Sequence, residues 1–500
     1  MKMIYETISG HADRFPENIA LQSGNRLVTY ASLQKHIWNL ASEFIENDVK
    51  ILGLYLDNGV DWVLVDLAAQ FAGITLVPLP AFFTARQINY IFEKANIDSV
   101  VSSSRNIIPE SCRVAITAGL APDVNLYKCN NISRNYNSLK NTGKITFTSG
   151  TTGEPKGVCL TNDSLTNVAN SLVTATHKIN IQKHLCLLPL TVLLENIAGV
   201  YAPLLKGATC QLPSLADTGL TGATGFNANK MLNCLDHYQP DSIILLPQML
   251  HDLVYTIESD QDKPESLKFI AVGGGVISPI LIKRAREKGL PVYEGYGLSE
   301  CSSVVSINVP ENDRPASAGK LIDNIQITIS GENEIMLKGN FMQGYLGDTA
   351  IDNNAWYATG DIGKIDQDGY LHIKGRKKNI FITSYGRNVS PEWIESELLN
   401  TSVIRQVVVF GEAKPVNCAV IVPSDARTDD RLIARAIDIT NRNLPEYAQI
   451  YYWIRAKQDF NLQNGLATAN GRPVRERIYK LHEREIDSLF EQKRVTGRSV

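Results

Sequence analysis

The chain has 500 residues, of which 44% are hydrophobic and 20% are charged, so it is long enough for two or more compact domains and lacks the composition of a disordered protein. Lys and Arg number 49 against 52 for Asp and Glu, giving a formal net charge of -3, which argues against a dedicated nucleic-acid-binding surface. The N-terminal residues lack the apolar core of a signal peptide, and the most apolar stretch, residues 67–84, is interrupted by Gly73, Pro78 and Pro80, so we expect neither export nor a transmembrane segment.

Short β-branched runs alternate with amphipathic stretches through the first 300 residues. This alternation predicts an α/β architecture with largely parallel, buried strands. The predicted strands are residues 49–54, 99–102, 145–148, 185–188, 242–246, 269–272 and 292–294.

After residue 318 the pattern changes to short alternating strands separated by turns that contain glycine, which indicates a small antiparallel barrel or meander. A basic cluster at residues 375–378 then precedes a last unit that has its own helices and strands, the latter at residues 406–411 and 418–422. We place the domain boundary near Lys378. The strands predicted before the boundary are residues 326–330, 334–338, 363–365 and 370–374.

The eight cysteines show no CxxC spacing. Cys234 and His237 are close in sequence, but no second pair of ligands completes a zinc site. We therefore expect reduced core or surface thiols in a cytoplasmic protein.

Residues 145–158 combine a β-type run with a loop rich in glycine and hydroxyl groups and with one lysine. Glycines let backbone N–H groups approach a ligand, hydroxyls add donors and Lys156 adds a positive charge, which together suit a polyphosphate. The GxxxxGK[ST] spacing of a Walker A loop is absent, and an ordinary solvated loop is the alternative. The candidate phosphate-binding residues are Thr148, Ser149, Gly150, Thr151, Thr152, Gly153 and Lys156.

A second cluster lies at residues 293–300, which include Tyr296, Gly297 and Glu300. A carboxylate beside a polyphosphate is repelled unless a hard cation lies between them, although Glu300 could also cap a helix. Together with residues 145–158, this segment resembles the acyl-adenylate-forming (AMP-binding) superfamily, which includes acyl-CoA synthetases. The resemblance implies that Tyr296 packs on adenine and that Glu300 holds the Mg²⁺ of the nucleotide.

Further matches extend over nearly the whole chain. Gly274 and Gly275 lie in a segment that resembles the family's glycine turn beside the adenine, and Asp361 matches the aspartate that accepts hydrogen bonds from both ribose hydroxyls. An ionised carboxylate suits two adjacent donors. A tight strand-to-helix turn and an Asx turn would explain the same residues without a ligand.

Residues 375–391 resemble the segment that links the two domains of this family. By that resemblance, Arg376 contacts ribose or phosphate, Lys378 is the pivot of a domain rotation, and Gly386 and Arg387 belong to a loop that meets an incoming thiol. Charge alone would favour a solvated basic turn.

The resemblance also implies the domain organisation. Residues 1–377 would form an N-terminal AMP-binding domain of parallel-type αβ subdomains with a small β-barrel. Residues 378–500 would form a small, mobile α+β domain that carries the catalytic loop.

Two positions depart from the family pattern. In the C-terminal loop, Arg472 stands where the family carries its catalytic lysine; arginine keeps the positive charge but is broader and directs its donors differently. Val192 stands where many acyl-CoA synthetases have a histidine that borders the acyl pocket. We therefore expect altered adenylation and an altered pocket polarity.

The resemblance implies ATP-dependent activation of a carboxylic acid to acyl-AMP with Mg²⁺, followed by transfer to CoA or to the phosphopantetheine of a carrier protein. Residues 375–391 look closest to the long-chain fatty acyl-CoA synthetases. Peptide-synthetase relatives place an aspartate in this region to bind an α-ammonium, whereas residues 190–201 contain only Glu195 as an acidic residue, so the resemblance argues against an amino acid substrate. We therefore expect a medium- or long-chain fatty acid.

A reductase or luciferase that uses the same adenylate would need an added cofactor motif such as GxGxxG after a strand, which the sequence lacks. Two further alternatives stay open at this point. One is a fatty acyl-AMP ligase that loads an acyl carrier protein instead of CoA. The other is a catalytically impaired nucleotide-binding homologue, because Arg472 replaces the catalytic lysine of the family.

Overall fold

Helices and strands alternate in a computed structural model of the protein. The structure describes residues 3–106, 108–110, 112–116, 120–129, 141–148, 155–221, 225–259, 263–275, 277–352, 354–384, 387–468 and 471–495. Six residues of the predicted site lie outside the described residues, namely Ser149, Gly150, Thr151, Thr152, Gly153 and Gly386.

The chain begins with helices that alternate with short strands. In chain order these elements are α1 (Met3–Arg14), β1 (Ile19–Ser23), β2 (Arg26–Thr29), α2 (Tyr30–Glu46), β3 (Ile51–Tyr55), α3 (Val60–Ala72), β4 (Thr75–Pro78), α4 (Ala85–Ala95), β5 (Ser99–Ser102), β6 (Cys112–Ile116) and β7 (Asn125–Cys129).

The alternation continues through the middle of the chain. The elements are β8 (Lys144–Thr148), β9 (Lys156–Leu160), α5 (Asn162–Ala175), β10 (Lys183–Leu185), a π-helix (Glu195–Tyr201), α6 (Ala202–Lys206), β11 (Thr209–Gln211), β12 (Leu220–Thr221), β13 (Gly225–Phe226), α7 (Ala228–Tyr238), β14 (Ser242–Leu245), α8 (Pro247–Glu258), β15 (Phe269–Val272), α9 (Pro279–Glu287) and β16 (Val292–Tyr296).

Strands dominate the next hundred residues, and helices return near the C-terminus. The elements are a 3₁₀ turn (Ser299–Cys301), β17 (Ser306–Ile307), β18 (Lys320–Leu321), β19 (Ile325–Ile329), β20 (Glu334–Gly339), β21 (Gly344–Tyr345), β22 (Tyr357–Ile365), β23 (Leu371–Arg376), a 3₁₀ turn (Lys377–Asn379), β24 (Phe381–Ile382), β25 (Asn388–Val389), α10 (Pro391–Leu398), β26 (Ile404–Phe410), β27 (Asn417–Pro423), α11 (Asp430–Asn441), a 3₁₀ turn (Glu446–Ala448), β28 (Ile450–Arg455) and α12 (Arg475–Val495).

Two large sheets form the core of the N-terminal part. One has the strand order β18-β17-β16-β15-β14-β10-β11-β1-β2, and the other has the order β21-β9-β8-β4-β3-β5-β7-β6. Central pairs such as β14 with β15 and β3 with β4 are parallel, whereas the edge pair of β1 with β2 is antiparallel. Every residue of β4 and β5 is buried, as expected for parallel strands that helices cover on both faces. The predicted α/β architecture is confirmed.

A four-stranded antiparallel sheet with the order β19-β20-β22-β23 follows, which confirms the predicted meander. The C-terminal part has its own three-stranded sheet, β26-β27-β28. Buried residues of α10 and α11 pack on one face of this sheet, and those of α12 pack on the other. Neither α12 nor any other described helix combines the length and apolarity needed to cross a bilayer.

Strand β10 ends earlier than the sequence predicts. The predicted strand at residues 185–188 overlaps β10 at Leu185. Beyond the strand, the N–H of Leu188 donates to the Glu195 carboxylate and the Leu188 carbonyl accepts from the Asn58 amide. An apolar run therefore predicted a strand where side-chain hydrogen bonds hold a turn.

The cysteine prediction is wrong for one pair. Cys112 and Cys129 face each other across strands β6 and β7 and form a disulfide. Their 17-residue separation gives no local spacing signal, because strand pairing brings them together. The other six cysteines are buried free thiols, as predicted: Cys159, Cys186, Cys210, Cys234, Cys301 and Cys418.

A buried polar cluster joins the two large sheets. The ammonium of Lys144, on β8, lies 2.8 Å from the carboxylate of Asp66, on α3, and both side chains are at most 2% exposed. The Lys144 ammonium also donates to Asn196 and Tyr201 of the π-helix. Burial lowers the pKa of Lys144, and Asp66 opposes that shift. Because each charge has a close partner, the cluster fixes strand β8 relative to the π-helix.

Replacing Asp66 with alanine should lower the free energy of unfolding by about 3–5 kcal/mol, because it leaves the Lys144 charge buried without its partner. Chemical denaturation of purified protein measures this loss. Glu287→Ala removes one member of the exposed pair with Lys283 and should cost less than about 1 kcal/mol. A similarly small loss in Asp66→Ala would contradict the structural role of the cluster.

Candidate active site

A cleft of about 1910 Å³ lies between the N-terminal and C-terminal parts of the chain. Residues of both parts line it, so the site is complete only when the two parts are packed together. The predicted site residues that line it are Thr148, Lys156, Gly274, Tyr296, Gly297, Glu300, Arg376, Lys378 and Arg472.

Three of the described candidates do not line the cleft. Asp361 lies behind it, where it contacts Tyr296 and Arg376. Gly275 and Arg387 are both exposed and lie outside the cleft lining. A role for Arg387 at this site would therefore require the C-terminal part to move.

The β8–β9 hairpin carries both ends of the candidate phosphate loop. Thr148 ends β8 and pairs across the hairpin with Lys156, which begins β9. The Lys156 side chain is exposed, and its ammonium lies 5.4 Å from the ring centroid of Tyr345. The hairpin thus presents the loop lysine to the cleft.

Glu300 and Lys156 meet at the same aromatic ring. Glu300 lies in the 3₁₀ turn after β16, and the Tyr345 hydroxyl donates to its Oε1 atom at 2.8 Å. Burial, followed by the charge of Glu300, raises the pKa of Tyr345, so this phenol stays a donor. A carboxylate held in this way, facing the cleft beside a lysine, suits a divalent cation bound to phosphate.

The sequence did not identify Tyr345 as part of the site. It lies in the two-residue strand β21, which is brought to the cleft by antiparallel pairing with β9. Tyr345 pairs with Val158, two residues beyond Lys156. No spacing in the sequence signals this contact, because it depends on pairing between segments far apart in the chain.

The Asp361 carboxylate is already held by two donors. The Tyr296 hydroxyl lies 2.5 Å from Oδ2, and Arg376 Nε lies 2.8 Å from Oδ1. Burial raises the pKa of Asp361, while Arg376 and the Tyr296 hydroxyl oppose that shift. A ribose could use this carboxylate only by sharing it with Tyr296 and Arg376 or by displacing them.

Gly297 is required by close packing of the backbone. A Cβ atom added there would lie 1.6 Å from the carbonyl oxygen of Ser303. Gly274 has a φ of +84°, which disfavours other residues. At both positions the turn geometry therefore explains the glycine without a ligand.

Arg472 reaches across the cleft from the C-terminal part. Its Nε donates to the carbonyl of Gly274 at 2.9 Å. Thr468 fixes the backbone of Arg472, because the Thr468 N–H donates to the Arg472 carbonyl and the Arg472 N–H donates to the Thr468 hydroxyl. The guanidinium is open to the cleft yet surrounded by protein. Burial lowers the pKa of Arg472, and the positive charge of the neighbouring Arg376 lowers it further. The arginine therefore places its charge over the site and also ties the two parts together.

One sector of the cleft is lined by uncharged side chains. It includes the turn at residues 191–194, which carries Val192, and the ends of strands β14 and β15. Thr146 and Thr191 also line the cleft, and within the described part of the chain their hydroxyls have no hydrogen-bond partner. The further lining residues of this sector are Ala198, Ile244, Leu246, Ala271, Val272, Leu298, Val304 and Ile307.

A buried group of His184, Cys186 and Glu195 has ligand atoms within 4.8 Å of one another. The Glu195 carboxylate already accepts from the Leu188 N–H and lies 3.1 Å from His184 Nε2. The other His184 nitrogen lies 2.8 Å from the Ser242 hydroxyl. Hydrogen bonding explains this cluster without a metal ion.

Replacing Glu294 with glutamine should raise the melting temperature at pH 8 and have little effect at pH 5. Burial raises the pKa of Glu294 from 4.5 to about 8. Between these values the unfolded chain releases a proton that the folded protein retains, so stability falls as the pH rises. Thermal unfolding at both pH values measures the effect.

Glu287→Gln, at an exposed glutamate of α9, provides the matched control and should leave the pH profile unchanged. An identical pH profile for wild type and Glu294→Gln would show that the Glu294 carboxyl does not titrate between these pH values in the folded protein.

Comparisons with known proteins agree on the family. The chain is 25% identical over 420 residues to a 2-succinylbenzoate–CoA ligase of Bacillus pumilus, which covers 79% of this chain and 82% of the relative. It is 25% identical over 438 residues to the long-chain-fatty-acid–CoA ligase FadD15 of Mycobacterium bovis, which covers 72% of this chain and 71% of the relative. Both alignments span most of each protein.

Among solved structures, the fold is similar to that of o-succinylbenzoate CoA synthetase (MenE) from Bacillus subtilis in complex with the acyl-adenylate intermediate OSB-AMP. The TM-score is 0.74 at 23% identity, and the match covers 94% of this chain and 97% of the other. The family model for the AMP-binding enzymes matches residues 8–346, and the model of their C-terminal domain matches residues 378–494. The chain therefore belongs to the AMP-binding enzyme family.

Proposed function

We propose that this protein is an acyl-CoA ligase that uses ATP and Mg²⁺ to activate a medium- or long-chain fatty acid and transfers the acyl group to CoA. The observation that carries the proposal is that Tyr345 holds both charges, Lys156 over its ring and Glu300 at its hydroxyl, and that both face one cleft with an uncharged sector. Membership of the family and the CoA-ligase relatives support the reaction class.

The lining of the cleft favours a fatty acid over the substrate named for several relatives. 2-Succinylbenzoate carries two carboxylates, of which one would react and the other would enter the acyl pocket. Burying an unpaired carboxylate is costly, and the turn at residues 191–194 and the ends of β14 and β15 carry no charged side chain, although Arg86 lines another part of the same cleft. Val192, at the position where histidine is common in this family, adds to the apolar surface. An apolar acid with one carboxylate fits this pocket.

In the first step, a carboxylate oxygen of the acid attacks the α-phosphorus of ATP, and the bond to the departing pyrophosphate breaks. Lys156 faces the leaving phosphates, and the Arg472 charge stabilises the negative charge that develops where carboxylate and α-phosphate combine. Glu300 would hold Mg²⁺, which neutralises phosphate charge when it is bound. The products are acyl-AMP and pyrophosphate.

In the second step, the C-terminal part turns about Lys378 and withdraws Arg472 from the cleft. Residues near Arg387 then approach the acyl-adenylate from the side where the thiol enters. The sulfur of CoA attacks the acyl carbonyl, a C–S bond forms, and the C–O bond to AMP breaks. The thiol proton passes to solvent, and AMP leaves.

Acid-dependent release of pyrophosphate tests the proposal. Purified protein with MgATP should release pyrophosphate fastest with medium- or long-chain fatty acids and should form acyl-CoA when CoA is added. Lys156→Ala should lower the release rate by about 10²-fold because the leaving phosphates lose a positive charge. Mass spectrometry of the products identifies the acceptor.

Several outcomes of this assay would contradict the proposal. Faster release with 2-succinylbenzoate than with any fatty acid would reject the substrate class. Transfer to a carrier protein but not to CoA would indicate an acyl-AMP ligase. ATP binding without release for any acid would indicate a catalytically impaired homologue.

Arg472 variants test the unusual residue of the catalytic loop. Arg472→Ala should lower the rate of pyrophosphate release by about 10²-fold or more if its charge stabilises the transition state. Arg472→Lys keeps the charge and should keep or raise the rate. Arg435→Ala, at an exposed arginine of α11, is the control and should match the wild type. Equal rates for all Arg472 variants would remove this residue from the mechanism.

A further inference from the structure

The turn that leads into the uncharged sector of the cleft is held by side chains. The carbonyl of Leu188 accepts from Asn58 Nδ2 at 2.8 Å, and the N–H of Leu190 donates to Asn58 Oδ1 at 2.8 Å. The N–H of Leu188 donates to Glu195 Oε2 at 3.0 Å. Pro189 lies between the two leucines and has no N–H to donate. The side chains of Asn58 and Glu195 therefore provide the hydrogen bonds that a neighbouring strand would otherwise give to these main-chain groups.

Asn58 reaches this turn from the other large sheet. It lies between β3 and α3, more than 120 residues away from Leu188 in sequence, and is 7% exposed. Its own loop is fixed, because Asp57 accepts hydrogen bonds from the N–H groups of Asn58 and Leu215. One buried amide thus uses both its donor and its acceptor to tie two subdomains together.

The bonded turn continues directly into the cleft wall. The N–H of Val192 donates to the Pro189 carbonyl at 2.8 Å, which closes the turn. Residues 191–194 line the cleft immediately afterwards. The position of Val192 and the direction of the Thr191 hydroxyl therefore depend on where the turn is held.

Asn58 is a cleaner test of this arrangement than Glu195. Glu195 also contacts His184, which is linked in turn to Ser242 of β14, so its replacement would disturb the sheet. Asn58 contacts the turn through two main-chain bonds and does not line the cleft.

We propose that Asn58 is a positioning residue that sets acyl-chain selectivity by fixing the turn at residues 188–190 and, through it, the cleft wall at residues 191–194. The inference rests on the proposed function, because it assigns that wall to the acyl group. Asn58 touches neither the nucleotide side of the cleft nor the reacting atoms. Its loss should therefore change how acids are discriminated more than how ATP is used.

Asn58→Ala and Asn58→Leu test the inference, the second filling the volume of the amide without its hydrogen bonds. The readout is the ratio of kcat/KM for the preferred acid to that for an acid several carbons shorter, measured by pyrophosphate release. We expect this ratio to fall about tenfold in both variants, since small displacements of substrate-positioning groups have large effects on rate. The KM for ATP should change less than twofold.

The ratio compares two acids in one enzyme sample, so a loss of folded protein cancels from it. Asn441→Ala is the matched control, because Asn441 makes the same paired bonds to the backbone of Ile450 in the C-terminal part and does not line the cleft. That variant should keep the wild-type ratio.

The outcomes separate the two proposals. A wild-type enzyme that selects among fatty acids, together with an unchanged ratio in both Asn58 variants, would overturn the role of Asn58 alone. Equal falls of kcat/KM for every acid, with the ratio preserved, would also overturn it, since a merely structural role predicts this result. A wild-type enzyme without acid-dependent activity would overturn both proposals.

Discussion

The site depends on one tyrosine, Tyr345, that holds a carboxylate and an ammonium group next to each other. The Tyr345 hydroxyl donates to Glu300, and the Lys156 ammonium lies over the ring of the same residue. Each charge is thereby fixed by the tyrosine while it still faces the cleft. A polyphosphate needs a cation at one end and a metal-binding carboxylate nearby. This arrangement supplies both, and it therefore suits a nucleotide site.

The same constraint explains why the two large sheets must keep their relative position. Tyr345 lies on β21 of the eight-stranded sheet, whereas Glu300 follows β16 of the nine-stranded sheet. The buried pair of Lys144 and Asp66, bonded to the π-helix, joins those sheets away from the cleft. A shift of one sheet against the other would separate Glu300 from Lys156. The buried pair of Lys144 and Asp66 therefore also maintains the geometry of the site.

The sequence predicted several of the parallel strands well because they depend on local patterns, whereas residues 149–153 of the glycine-rich loop lie outside the described residues. β5 and β15 have the predicted bounds, since hydrophobic runs flanked by turn residues are local signals. Tyr345 and Asn58 could not be predicted, because pairing and packing between distant segments bring Tyr345 to the cleft and Asn58 to the turn behind the cleft wall. Cys112 and Cys129 were misjudged for the same reason. Asp361 stays a prediction from its motif, and its bonds to Tyr296 and Arg376 depend on the folded arrangement.

The bond from Arg472 to the Gly274 carbonyl bears on the speed of the catalytic cycle. A hydrogen bond from a charged donor contributes roughly 1.5–3 kcal/mol, and the proposed rotation of the C-terminal part would break this one. Under the proposed mechanism each turnover would break this bond once, so a weaker bond at position 472 would let the C-terminal part leave the cleft sooner.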